Sequence, residues 1–354
     1  MESKDYIINY DDAILITGAS GFIGSKVVEN LVAYGFKNLR CLVRSATVPI
    51  SLRKTVESSP NTNIAIVNGD LLSFEDCERV AGGVKVVYHL AASTQEKSFS
   101  DAYKHSVDTT RNLLNAVLGT TKLERFVNVS SFSVYSNLKL QPGALLDESC
   151  PVEDEPELRG EAYSYAKIKQ EDLIQEYGKK YDIPYVIIRP GAVYGPGSRA
   201  ITGRVGIPVS GLFLHLGGSN VIPFTYVDNC SEAIVLAGLK KSIDGEVINV
   251  VDDDVLTSGE FLKLYKSNVM NLRSVSLPKA VSYSVYCLLG TALTLLTGGS
   301  PTRYNRRRWS AYWKGNTYTN KKLKRLLGWT PRVSIEEGMG RYFAYCKRAG
   351  DHDA

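Results

Sequence analysis

The chain has 354 residues, 42 basic against 37 acidic for a formal charge of +5, and 44% hydrophobic residues. That length exceeds one minimal core and suits a large α/β domain with an appended lobe. The ordinary composition excludes a disordered, collagen-like or polybasic nucleic-acid-binding chain, so no nucleic-acid partner is expected.

Residues 1–12 are polar and acidic and lack the basic-then-apolar run of a secretory leader, which makes a cytoplasmic protein the expectation. Short β-branched runs then follow at 13–17, 39–44, 64–68, 86–90, 126–130, 185–189 and 247–251, alternating with longer stretches of helical period. Their nearly unbroken apolarity suits strands buried on both faces, and strand–helix alternation implies a doubly wound parallel sheet. The reading is an α/β, Rossmann-like dinucleotide domain over 1–190, with a returning strand at about 240–252. Segments 191–239 and 253–354 form a smaller, discontinuous substrate-binding lobe. The first of these is punctuated by Gly and Pro, as binding loops are. Six scattered cysteines, with no CxxC unit and no metal-ligand spacing, read as reduced thiols, and no metal is expected.

The first run leads directly into Gly18-Ala19-Ser20-Gly21-Phe22-Ile23-Gly24 and then into a helix-compatible segment. Glycines here let the backbone bend tightly and approach a pyrophosphate held on the positive end of the helix. The spacing is GxxGxxG, and its strand-before, helix-after context gives it weight. After the second run comes Arg44, where an enzyme of NAD would place a carboxylate. A guanidinium there pairs with a 2′-phosphate, so NADP is favoured over NAD, with Ser45, Arg53 or Lys54 in support. Asp70 and Leu71 follow the third run and are placed at the adenine edge, and Leu90, Ala91 and Ala92 end the fourth with room for a cofactor to lie close.

In Tyr163-Ser164-Tyr165-Ala166-Lys167 a phenol and an ammonium stand four apart on one helix face. A tyrosine with its pKa near 10 becomes an acid/base when a neighbouring cation stabilises its phenolate. Tyr165 with Lys169 offers a second register.

With His89-Leu90-Ala91-Ala92, Ser130-Ser131-Phe132-Ser133-Val134-Tyr135, Arg189-Pro190-Gly191-Ala192-Val193-Tyr194-Gly195-Pro196-Gly197, Tyr226-Val227-Asp228-Asn229 and Leu327-Gly328-Trp329-Thr330-Pro331 added in order, the chain resembles the extended short-chain dehydrogenase/reductases. These form the NAD-dependent epimerase/dehydratase family, and the motif detail is most similar to its 3β-hydroxysteroid dehydrogenase and dihydroflavonol reductase branch. The resemblance implies catalysis by Ser131, Tyr163 and Lys167, with Ser130 and Ser133 close enough to be alternatives to the first. It selects Tyr163, because a small residue precedes Lys167 and a glutamate follows it four later. It also implies that Tyr163 and Lys167 contact the nicotinamide ribose side, that Pro190, Gly191 and Val193 line the nicotinamide face, and that the protein is a homodimer through helices near 101–118 and 163–177. Ser106 stands where the family often has an asparagine.

A bulky small-molecule alcohol or ketone is the implied substrate. A nucleotide-sugar 4-epimerase holding NAD is the rival, with Arg199 and Arg204 available for a diphosphate. Dehydration is disfavoured, because Phe132-Ser133 replaces the acidic pair it needs. A non-catalytic dinucleotide sensor would have no chemical need for the Ser131, Tyr163 and Lys167 set. His105 and His215 have no metal partners in sequence and read as structural. Finally, residues 275–296 are apolar but interrupted by Ser, Thr and Tyr, and Arg303, Arg306, Arg307 and Arg308 follow. That segment, 275–308, reads either as a lid that also meets an anionic membrane surface or as a buried helix with a solvated basic face.

Overall fold

The computed structural model describes residues 6–45, 48–92, 96, 98–119, 122–198, 201–297 and 304–350. Seven parallel strands form the central sheet: β1 (Ile14–Thr17), β2 (Asn38–Val43), β3 (Asn63–Asn68), β4 (Val86–His89), β5 (Arg125–Val129), β6 (Tyr185–Pro190) and β7 (Val247–Val250). Their spatial order is β7-β6-β5-β4-β1-β2-β3. Each run expected from the sequence lies within one residue of an observed strand. The order reverses between β1 and β4, which is where the carboxyl ends of such a sheet open a crevice for ligands.

Alternation along each strand builds two separate cores. Ile14 and Ile16 of β1 point into a cluster with Val27 and Ile234, whereas Leu15 joins Val87, Leu113, Ile174 and Ile187 on the other face. Helices Phe22–Ala33 and Val227–Leu239 cover the first face, and Thr109–Leu118 and Ala162–Tyr181 cover the second. A third cluster, around Tyr194, Phe224, Phe261 and Tyr342, lies apart from both. Strands Gly206–Val209, Leu212–His215 and Ser274–Ser276 form a small sheet of their own.

One buried ion pair fixes the helix that matters most for function. Arg189 of β6 donates to Glu171 through Nε at 2.9 Å and Nη2 at 2.5 Å, and both residues are buried. The guanidinium also lies 4.7 Å from the Tyr135 ring, whose hydroxyl donates to Asn249 on β7 at 2.8 Å. The helix Ala162–Tyr181 is thereby locked in register against the sheet.

Candidate active site

The turn after β1 can only be made from glycines. Gly18 has φ of +68°, and a Cβ there would come within 2.9 Å of the Ala91 amide nitrogen. A Cβ on Gly24 would fall 2.0 Å from the Gly18 carbonyl oxygen. The helix Phe22–Ala33 starts at Gly21 with no side-chain cap, so its first backbone N–H groups remain available to an anion.

In front of this turn lies a cleft of about 470 Å³. Of the residues read from the sequence as cofactor contacts, Gly18, Ser20, Gly21, Arg44, Asp70, Leu71, Leu90, Ala91 and Ala92 line it. A cradle closed to any Cβ and open helix amides suit a dinucleotide diphosphate, and Arg44 places a cation at the end of β2. Leu42, Gly69, Glu96, His105 and Thr109 also line the cleft and were not expected there. His105, which lines the cleft, has its Nδ1 2.9 Å from Glu96 Oε1.

Phe22, Ile23 and Gly24 belong to the helix start and its packing, with Ile23 set against two of the apolar clusters. Pro190, Gly191 and Val193 stand outside this cleft. At Gly191 the missing side chain makes room for Pro223, whose carbonyl oxygen a Cβ would approach to 2.1 Å.

The catalytic helix separates the two Tyr–Lys registers. Tyr165 turns toward Phe99 and Tyr103, and Lys169 lies 5.9 Å from the Tyr165 ring. The Tyr163 phenol, in contrast, is set toward the Ser131 hydroxyl; burial raises its pKa, and the serine opposes that rise. The Ser130 hydroxyl is buried without a partner, as is that of Ser133, so of the three serines Ser131 is the one that meets the phenol.

Lys167 is buried and donates to the Val129 carbonyl at 2.6 Å and to Gln170 Oε1 at 3.0 Å. Burial pushes its pKa down to about 8, against the charge of Glu171.

Gln170 opens a buried polar chain whose directions are fixed by counting donors. The Thr110 hydroxyl donates to the Ser106 carbonyl at 2.6 Å, so its oxygen accepts from Gln170 Nε2 at 2.7 Å and from His89 Nε2 at 2.8 Å. With its hydrogen on Nε2, His89 accepts at Nδ1 from the Thr17 hydroxyl at 2.8 Å, and Thr17 Oγ1 accepts the Ala91 N–H at 3.3 Å. The chain runs from the cofactor cleft to the catalytic lysine. At position 106 the chain meets the backbone carbonyl.

A protonated His89 would put two donors against Thr17 and Thr110 and break this chain. Burial, with Lys167 nearby, pushes the His89 pKa down to about 3. The unfolded chain takes up a proton near pH 6.5 that the folded protein refuses until about pH 3, so stability falls as pH falls through that window. From pH 7 to pH 5 this histidine is expected to remove about 2 kcal/mol of stability. His89→Gln should lack that component when urea unfolding is compared at the two pH values.

The arginine cluster after residue 302 has a local explanation. Arg307 pairs with Glu153, Asp154 and Glu155 on the loop before the catalytic helix. Arg308, Arg159 and the Tyr312 hydroxyl converge on Glu161, the residue that precedes the helix, at 3.5, 2.7 and 2.7 Å. Burial opposes ionisation of Glu161, yet these cations and the hydroxyl hold its carboxyl below its ordinary pKa. Two arginines expected on a solvated face therefore anchor the start of the helix that carries Tyr163. Arg303 lies outside the described residues, as does Arg199.

Residues 14–250 match the profile of the NAD dependent epimerase/dehydratase family. Among curated proteins the chain is similar to a trifunctional UDP-glucose 4,6-dehydratase/UDP-4-keto-6-deoxy-D-glucose 3,5-epimerase/UDP-4-keto-L-rhamnose-reductase of Arabidopsis thaliana. The identity is 30% over 249 residues, 67% of this chain and 36% of that protein, so the chain spans about a third of its length. It is also similar to the decarboxylating sterol-4-alpha-carboxylate 3-dehydrogenase of Saccharomyces cerevisiae, 26% identical over 94% of this chain and 97% of the other. Among solved structures, UDP-glucuronic acid 4-epimerase from Bacillus cereus in complex with NAD covers 95% of this chain and 99% of its own, with a TM-score of 0.70. At 24% identity, that likeness bears on the fold.

Proposed function

Because the chain belongs to the NAD dependent epimerase/dehydratase family, we propose that it is an oxidoreductase acting on a secondary alcohol or ketone of a bulky small molecule, with NADP preferred over NAD. The observation that carries this reading is the Ser131 hydroxyl set against the Tyr163 phenol, with a desolvated Lys167 held on the same helix. A bound nicotinamide dinucleotide supplies the hydride donor or acceptor at its C4. Ser131 orients the substrate oxygen, and Tyr163 gives it a proton in reduction or takes one in oxidation. The Lys167 ammonium favours the phenolate form of Tyr163. Two of its donors are engaged by Val129 and Gln170, which leaves one for the cofactor side.

Two features support oxidoreduction over the alternatives. The positions after Ser131 carry no acid/base pair for dehydration: Phe132 is buried against Tyr135 and Tyr318, and the Ser133 carbonyl accepts from Arg159. The Arg204 guanidinium, one of the two cations a sugar diphosphate would call on, is held by the Ala311 carbonyl at 3.2 Å and lies 5.8 Å from the Tyr312 ring. The near full-length alignment with a sterol dehydrogenase fits a bulky apolar substrate. The test is a screen of the protein with NADPH against cyclic ketones, including sterones, and against UDP-glucose and UDP-glucuronate. Net consumption of NADPH with a ketone is expected. Interconversion of a UDP-sugar without net consumption would establish the epimerase reading instead.

Arg44 carries the cofactor preference. Arg44→Asp puts charge repulsion where a bidentate guanidinium–phosphate pairing stood, and it should weaken NADP binding by about tenfold or more while NAD binding is unchanged or tighter. Titration of both dinucleotides by fluorescence checks this, and equal effects on the two would remove the 2′-phosphate role.

A further inference from the structure

A buried ammonium is costly unless hydrogen-bond acceptors replace the water it has lost. Lys167 is 3% exposed, and the nearest acid in sequence, Glu171, gives both carboxylate oxygens to Arg189. Among the described residues no carboxylate stands in ion-pair contact with Lys167. Two neutral groups hold it instead, the Val129 carbonyl at 2.6 Å and Gln170 Oε1 at 3.0 Å. Gln170 is the side chain of the two. It is wholly buried and stands one helical turn beyond the lysine.

The Gln170 amide has one orientation open to it. Thr110 commits its hydroxyl hydrogen to the Ser106 carbonyl, so its oxygen accepts from Gln170 Nε2 at 2.7 Å, and the amide oxygen is turned to Lys167. His89 donates to the same Thr110 oxygen, and because burial keeps its pKa down to about 3 it brings no charge to the lysine at neutral pH. The titratable and charged groups around Lys167 are therefore Tyr163 and Glu171 on its own helix, His89 from β4, and Arg189 from β6 through Glu171. A carboxylate at position 170 would set an acceptor against the Thr110 oxygen, which has no hydrogen left for it, and would cancel the field of the ammonium. An apolar side chain there would leave a buried ammonium one protein acceptor. A neutral amide meets both demands.

We propose that Gln170 is a positioning residue for the reaction: its amide holds the Lys167 ammonium on the side of the helix that carries Tyr163, charged and without a counter-ion to cancel it. Together with Val129 it places two of the three N–H directions of Lys167. In a tetrahedral ammonium that fixes the third, the one left for the cofactor side. Gln170 acts through Lys167 alone, and Thr110 and His89 act through Gln170. The inference rests on the hydride-transfer reading, because the support of the Tyr163 phenolate is what the held charge supplies.

The titration of Lys167 tests this without any substrate. The full chain is prepared with isotope-labelled lysine, and the Lys167 side-chain resonance, identified by its loss in Lys167→Arg, is followed by NMR against pH. The wild-type midpoint is expected at about pH 8. Gln170→Leu removes an acceptor and should move the midpoint down by about one pH unit or more, whereas Gln170→Glu adds a counter-charge and should move it up by about as much. Mere loosening of the helix would let water reach the lysine and move both midpoints up. NADPH binding reports the fold of each variant, and Gln170→Met takes the place of Gln170→Leu if that variant does not fold, with the same downward shift expected. With a ketone from the substrate screen, kcat should fall by about tenfold or more in the Gln170 variants while KM stays within about twofold, and the alkaline limb of the pH profile should follow the Lys167 midpoint. An unmoved midpoint, or an upward shift in the apolar variant, overturns the inference and leaves the hydride-transfer reading standing. Full turnover by Tyr163→Phe overturns both.

Discussion

Tyr163→Phe is expected to lower turnover by about 10²- to 10⁴-fold while dinucleotide affinity stays within about twofold. The substitution removes one oxygen, the phenol that meets Ser131, and leaves the ring, the glycine turn and the cleft as they were. Burial raises the Tyr163 pKa, so the phenol is protonated at neutral pH and ready to donate to a ketone oxygen. Reduction therefore suits this site at neutral pH, whereas oxidation needs the phenolate and with it a charged Lys167. Because Lys167 loses its proton at about pH 8, the support it gives the phenolate fades above that value. Steady-state kinetics with any substrate found by the screen, alongside dinucleotide titration, separates a chemical role from a binding one. Turnover within a few fold of wild type would remove Tyr163 from the chemistry.

The second large effect concerns stability. Glu171→Ala should destabilise the protein by about 3–5 kcal/mol, because it leaves the Arg189 guanidinium buried without its counter-charge. Burial works against the Arg189 charge, and a guanidinium does not lose its proton in a protein, so once Glu171 is gone it has no means of escaping the penalty. The pair also aligns the catalytic helix with β6, so activity should fall further than unfolding alone explains. Urea unfolding of Glu171→Ala and of Glu171→Ala/Arg189→Met checks this. The double variant should regain most of the loss, because both charges are then gone. A single-variant effect below about 1 kcal/mol would mean that solvent reaches the pair.

The strands were legible because parallel strands covered on both faces are almost wholly apolar, although the edge strand β3 is only partly buried. The glycine turn was legible because its demand for backbone space is local: Gly18, Gly21 and Gly24 lie within seven residues of one another. Spacing alone left Tyr163 and Tyr165 both open, and the resemblance selected Tyr163; in the structure the two differ by which side of the helix faces Ser131, a residue 32 positions earlier.

What escaped the sequence was long-range polar pairing. Thr17, His89, Thr110 and Gln170 come from four separate elements, and each alone looks like a strand end or a helix surface. Only their juxtaposition makes a chain leading to Lys167. Arg307 and Arg308 read as a solvated run because their carboxylate partners lie roughly 150 residues away. Gly191 packs closely against Pro223, a neighbour 32 residues further on that no local motif announces. The segment 275–296 was ambiguous for another reason. Its helix is apolar on both the packed and the outer face, and periodicity alone does not say which face a protein leaves open.

The most direct test of hydride transfer is the fate of a label. NADPH carrying deuterium at the transferable C4 position is incubated with the protein and a ketone substrate, and product and cofactor are analysed by mass spectrometry. The account predicts one deuterium bound to carbon in the alcohol product for each NADP formed. Deuterium retained by the cofactor, with the substrate altered only in configuration, would contradict it.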